Sequence, residues 1–158
     1  MAVLSEEQTM LRDMAREWTT NESPVTAFRK FRDLAPACGY DANAFKTMAE
    51  MGWAGIVIPE KFGGSDFGWL SLGLVIEETA KTLTASPLAS SALAASALVL
   101  GGSDGAKAAW LPKLASGEAV GTLAIDEGPR HNPAAIATTA TKAGDGWTLS
   151  GTKAFVHE

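Results

Sequence analysis

Apolar residues in the first hundred positions recur at helical spacing, with capping residues at the ends of the runs. Ser5-Glu-Glu-Gln8 has the form of a capping box, and Leu11, Met14, Ala15 and Trp18 follow on one face, which predicts a helix from Ser5 to Thr20. Pro24 and Pro36 bracket a stretch in which no element is assigned. Asp41 as N-cap predicts a second helix that buries Phe45, Met48 and Ala49. Met51-Gly52 ends it, because glycine accepts the left-handed conformation after a helix without a Cβ penalty. Ile56, Val57 and Ile58 are too few and too β-branched for a helix, and Pro59 bars them from a sheet interior; an extended, buried connector is expected, turning at Gly63-Gly64. Leu72, Val75, Ile76, Thr79 and Leu83 define a third helix starting near Trp69. Ser86-Pro87 supplies the N-cap and first residue of a fourth, ended by Gly101-Gly102. Ser103 or Asp104 caps a fifth, carrying Ala106, Trp110 and Leu114 inward and stopping near Gly117.

After Gly117 the period changes from helical to alternating. Gly121 to Ile125 and Ile136 to Thr141 are strand candidates, and Trp147 to Leu149 and Thr152 to Val156 read as paired strands about Ser150-Gly151, with a further turn at Gly144-Asp-Gly146. Helices followed by strands give an α+β class: an N-terminal all-α helical domain of about five helices over residues 1–118, then an incomplete antiparallel β domain over 119–158. Three or four strands would leave an open edge, so the chain is expected to be the first part of a longer protein.

Composition narrows the classes. The 158 residues are 46% hydrophobic with formal charge −5, values of a globular chain rather than a disordered one. A pI near 5.0 and the absence of a Lys or Arg cluster argue against a nucleic-acid surface. The single cysteine, Cys38, excludes an intrachain disulfide, suits a reducing compartment and is expected as a small buried side chain. Met1-Ala-Val-Leu-Ser-Glu-Glu lacks the regions of a signal peptide, which points to the cytoplasm. Pro87 to Leu100 is shorter than the roughly 20 residues of a membrane span.

Gly52-Trp-Ala-Gly-Ile-Val-Ile-Pro-Glu-Lys-Phe-Gly-Gly64 resembles the helix-linking segment of the acyl-CoA dehydrogenases, flavoenzymes that desaturate acyl thioesters. Leu74-Val-Ile-Glu-Glu78 and Trp110-Leu-Pro-Lys-Leu-Ala-Ser-Gly-Glu118 resemble that family's next helix and its entry to a central β domain, in the same order. The resemblance implies FAD as cofactor and hydride acceptor, an acyl-CoA substrate, electron-transfer flavoprotein as partner, and a homo- or hetero-oligomer. It also implies that the catalytic glutamate lies in a later helical bundle, so no catalytic residue is assigned in this chain. A non-catalytic partner subunit of a heteromeric dehydrogenase, and a related acyl-CoA oxidase or flavin monooxygenase, remain alternatives.

Desaturation of this kind needs a carboxylate base, a flat cofactor pocket and donors that polarise the thioester carbonyl. Glu77-Glu78 is the obvious local pair, yet neighbours on a helix diverge by about 100° and cannot act on one atom, so a solvated or salt-bridged role is expected. The resemblance places cofactor contacts at Leu123, Ile125, Asp126 and Asn132, where the family carries Thr-Glu-Pro and then Gly-Ser-Asp. Here the chain reads Asp126-Glu-Gly-Pro-Arg-His-Asn-Pro133. A carboxylate at Asp126 lacks the hydroxyl donor and repels an anionic reduced ring; it equally suits a turn in which it accepts backbone N–H bonds. Gly151-Thr-Lys-Ala-Phe-Val-His157 resembles the family's Gly-x-Lys-x-Trp-Ile-Thr, which assigns Phe155 an aromatic face beside the flavin and His157 the place of a hydroxyl donor. Leu88 and Ala92, with Ala95, are candidates for the acyl pocket or for close helix packing, and Arg130 for a phosphate of the substrate or cofactor. His131 and His157 lack the companion ligands of a metal site.

Overall fold

The capping residues do what their chemistry dictates. In the computed structural model, which describes residues 3–34 and 37–157, Ser5 accepts from the Gln8 N–H while the Gln8 side chain accepts from the Ser5 N–H, and this box opens α1 (Glu6–Asn21). Asp41 accepts from the N–H groups of Asn43 and Ala44 to open α3 (Ala42–Glu50). Between them lies α2 (Val25–Asp33), which the sequence pattern did not yield. It starts at Pro24 with no side-chain cap and buries no residue, so neither an end signal nor a core face marks it. Pro36, like Met1, Ala2 and Glu158, lies outside the described residues.

The connector after α3 is buried but not extended. Gly52 takes the left-handed conformation at φ 80°, and the chain then makes two 3₁₀ turns, Trp53–Gly55 and Glu60–Phe62. The loop folds back on itself: Ser65 donates to Gly55 O at 3.1 Å, Asp66 to Ile58 O at 3.0 Å and Phe67 to Ile56 O at 2.8 Å. A Cβ at Gly64 would drive into the backbone of Ile58 and Gly55, which is why glycine stands there. Trp53, Ile56 and Ile58 are thereby buried, Trp53 meeting Trp18 edge to face at 5.5 Å.

The remaining helices are α4 (Gly68–Lys81), α5 (Leu88–Gly101) and α6 (Asp104–Ala115). Leu72, Val75 and Thr79 of α4 are buried and Ile76 partly so, but Leu83 lies beyond the helix, exposed, with φ 57°. Helix α5 starts one residue later than expected; Ser86 Oγ accepts from Leu88 N–H at 3.2 Å, and Pro87 O from Ser91 N–H at 2.9 Å. Ser103 caps α6. Trp110 is 52% exposed rather than inward, and Leu111 fills the core beside Leu114 in its stead. Cys38 is exposed, not buried. Two clusters form the core, one around Met48, Trp53, Leu72 and Val75 between α1, α3 and α4, the other around Ile58, Leu111 and Leu114.

The chain divides into a helical unit ending at Gly121 and a second unit over Thr122–His157. The second holds an antiparallel pair, β1 (Thr139–Ala143) with β2 (Gly146–Ser150), in the register Thr139↔Ser150 to Ala143↔Gly146. Its turn is therefore Gly144-Asp145, with Gly144 in the left-handed region, and not Ser150-Gly151. Gly151 instead lets the backbone press against Thr138, a contact any side chain would block. Gly121 to Ile125 and Thr152 to Val156 carry no assigned strand. The α+β order of helices before an antiparallel pair holds, with six helices among the described residues.

Candidate functional site

In the second unit two stretches far apart in sequence run together. Ala154 N–H donates to Asp126 O at 2.7 Å, which brings Ile125, Asp126 and Glu127 beside Lys153, Ala154 and Phe155. The centre of the join is Glu127. Its carboxylate accepts from Lys153 Nζ at 2.8 Å, from Ala137 N–H at 2.6 Å, from Thr138 N–H at 3.0 Å and from the Thr138 hydroxyl. Lys153 Nζ also donates to Ile125 O at 3.1 Å. The Lys153 bond, then those of Thr138 and Ala137, hold the Glu127 carboxyl at a pKa of about 2, well below the usual carboxylate range. Composition gave no sign of this pair, since opposite charges 26 residues apart follow no local period; the lysine of Gly151-Thr-Lys153 was the available signal.

Asp126 is engaged too. Its oxygens lie 3.0 and 3.2 Å from His131 Nδ1, and Oδ1 accepts from Asn132 N–H at 3.3 Å. The turn-forming role open to Asp126 is thus realised, and the imidazole is tethered by one nitrogen with its ring largely in solvent. Asn132 joins the site through its backbone. Arg130 is exposed and, with Asn132, Ala135 and Ala137, lines a shallow concavity of about 420 Å³. Phe155 is 73% exposed and has φ 54°, a left-handed conformation that bulky residues seldom adopt and that aims the ring outward. Leu123 is half-buried, and Ile125 and His157 are exposed.

Leu88 and Ala92 belong to the helical unit, 3% and 2% exposed, in its core beside Met48 and Val75. They take the close-packing role that small and branched residues allow. Glu77 and Glu78 part company as helix geometry requires: Glu77 is exposed and bonds Lys81 at 3.0 Å, while Glu78 is buried and meets Arg16 at 3.1 Å and Lys81 at 2.9 Å. Burial pushes the Glu78 carboxyl up, but the hydrogen bonds from Arg16 and Lys81 outweigh it and hold the group below its ordinary range. A carboxylate so held is a poor proton acceptor, and the Arg16–Glu78 contact braces α1 against α4.

The second unit leaves the Phe155 ring and the imidazoles of His131 and His157 exposed, with the Asp126 carboxylate turned to His131 and the Asn132 N–H. Comparison with known proteins places this scaffold. The family profile described as "Acyl-CoA dehydrogenase, N-terminal domain" matches residues 5–118. The chain is 35% identical over 158 residues to (2S)-methylsuccinyl-CoA dehydrogenase of Cereibacter sphaeroides, covering 97% of the chain and 28% of that protein. It is 33% identical to glutaryl-CoA dehydrogenase of Desulfococcus multivorans, covering 97% of the chain and 40% of the relative. A solved variant of the Tcur3481-Tcur3483 steroid ACAD superposes with a TM-score of 0.85 at 31% identity, over 96% of this chain and 41% of that one. The chain therefore spans well under half the length of these relatives. The profile match over the helical unit, joined to the fold, makes the chain a member of the acyl-CoA dehydrogenase family.

Proposed function

We propose that the chain is the N-terminal portion of a flavoprotein that α,β-desaturates an acyl-CoA thioester. The observation that carries this reading is the meeting of Ile125-Asp126-Glu127 with Lys153-Ala154-Phe155 on a scaffold of that family. Asp126, Asn132, Phe155 and His157 would hold FAD, with the backbone at Leu123 and Ile125 close by. FAD, when bound, accepts the hydride that leaves the β-carbon of the substrate. Phe155 offers a flat apolar face to the ring, and Asp126 fixes His131 so that its second ring nitrogen stays free to hydrogen-bond. Arg130 offers a cation to a phosphate. The base that removes the α-proton, the electron-transfer flavoprotein that reoxidises the cofactor and the oligomeric state belong to the whole protein.

The full-length protein carrying this sequence should purify with the absorbance bands of a bound flavin and bleach on adding its acyl-CoA. A homogeneous preparation that stays colourless with added FAD would overturn the reading. A second reading follows from one observation: Asp126 presents a carboxylate where the family presents a hydroxyl. A partner subunit that has given up its own flavin and assembles with a catalytic subunit accounts for it. Co-expression with neighbouring dehydrogenase subunits would then give a mixed complex with flavin in only one kind of subunit; an active homo-oligomer rules this out.

A further inference from the structure

We propose that Glu127 is a positioning residue, which, through its pairing with Lys153, holds the cofactor-facing residues Asp126 and Phe155 in their mutual placement. The inference rests on the flavin reading above. One carboxylate collects donors from two separate stretches of chain: Lys153 Nζ from one, and the N–H groups of Ala137 and Thr138 with the Thr138 hydroxyl from the other. Lys153 spends a second proton on Ile125 O, so a single ammonium group ties position 153 to both ends of the stretch 125–127. The bond from Ala154 N–H to Asp126 O lies between these two ties. Asp126 is the immediate neighbour of one ion-pair partner, and Phe155 stands two residues from the other. Moving the lysine therefore moves both.

The chemistry of the pair makes it specific. Glu127 and Lys153 side chains are 14% and 22% exposed, so water cannot fully replace either partner. Every group facing the carboxylate is a donor, and only an acceptor on both oxygens satisfies them; glutamine would turn an NH₂ toward an N–H or the ammonium. Arginine at 153 keeps the cation, methionine only its length. Neither Glu127 nor Lys153 need touch the cofactor for this to hold. What they set is where the Phe155 ring and the Asp126 carboxylate stand.

The test uses the full-length protein, with FAD affinity followed by fluorescence quenching and the environment of the bound ring by its visible circular dichroism. Glu127→Gln and Lys153→Met should each weaken FAD binding about tenfold or more and alter the dichroic bands, and the double variant should add less than about twofold because both remove one interaction. Lys153→Arg should stay within about threefold of the parent. Hydrogen exchange of the helical unit serves as the control for global folding; should Glu127→Gln fail to fold, the contrast of Lys153→Met with Lys153→Arg carries the same test. Parent-like affinity and dichroism in Lys153→Met, or a Lys153→Arg as impaired as Lys153→Met, would overturn the positioning role while leaving the flavin reading intact. A parent protein that takes up no FAD sinks both.

Discussion

At the scale of single residues, the carboxylates of Glu127 and Glu78 both lend stability that acid removes, because partners hold each below its ordinary pKa. Glu127 has its pKa lowered to about 2, so the stability it lends the second unit is fully present above the ordinary carboxylate value near 4.5 and is lost as pH falls through 2. Glu127→Gln should therefore unfold the β1–β2 hairpin more readily at pH 7, with the gap to the parent closing between pH 4.5 and 2; a gap constant with pH would show that the ion pair is not its source. Glu78, only 2% exposed, keeps its charge because Arg16 and Lys81 face it. The double variant Arg16→Met/Lys81→Met leaves that carboxylate buried without a cation, a loss of about 3 kcal/mol at neutral pH. Its Glu78 pKa then rises above the unfolded value, so the deficit shrinks in acid, as urea unfolding at pH 7 and pH 5 would reveal. Phe155 carries strain of a different kind. Phe155→Gly should relieve about 1 kcal/mol in the second unit, because φ 54° suits glycine and the exposed ring buries little, while weakening FAD binding in the full-length protein. Of this chemistry, the sequence exposed Asp126 and Phe155 through motif position. Glu127 and Lys153 escaped notice because their partnership exists only once the chain has folded back on itself.

Helices and turns obey their end signals more closely than their apolar stripes. Ser5, Asp41 and Ser103 cap the helices they were read to cap, since each needs only its own neighbours to make its bonds. Leu83 shows the limit of the stripe. It continues the 3.6-residue apolar period of α4, yet Thr84 N–H bonds Thr79 O and Leu83 N–H bonds Ala80 O, the paired bonds of a Schellman ending with leucine in the left-handed position. Leu83→Gly should stabilise the helical unit by about 1 kcal/mol, read as a higher urea midpoint with unchanged slope; no gain would mean that the half-exposed leucine packs better than its exposure suggests. The connector is the converse case. Its Gly-Gly was legible as a turn, but the 3₁₀ turns before it were not, because β-branched Ile56 and Val57 favour extended backbone and only burial of Trp53, Ile56 and Ile58 overrides that preference. Gly64→Ala places a methyl group inside the Ile58 backbone, where no rotamer change gives relief. A loss of about 3 kcal/mol or more is expected, whereas alanine at the open position Gly73 on the α4 surface should gain about 0.5–1 kcal/mol from helix propensity.

On the scale of the whole molecule, the two units differ in what holds them. The helical unit has one buried cluster that interlocks α1, α3, α4 and α5 and another that joins α5 and α6 to the connector at Ile58, with Trp53, Met48 and Leu111 fully enclosed. In the second unit every residue of β1 and β2 is exposed, Trp147 and Leu149 among them, and the pair is held by its backbone ladder and by the donors gathered on Glu127. A two-stranded sheet without a covered face is marginal in water, whatever the merit of its turn. Opening of the hairpin should thus cost far less than opening of the helical core, and the two should not unfold as one cooperative body. Amide exchange on the 158-residue chain reads this directly. Hydrogen-bonded amides of β1 and β2 should exchange at least about a hundredfold faster than those of Met48 and Val75, since each 1.4 kcal/mol of opening energy is worth a factor of about ten. Equal protection across both would require the hairpin to share the core's stability, which its exposed faces give no means of doing.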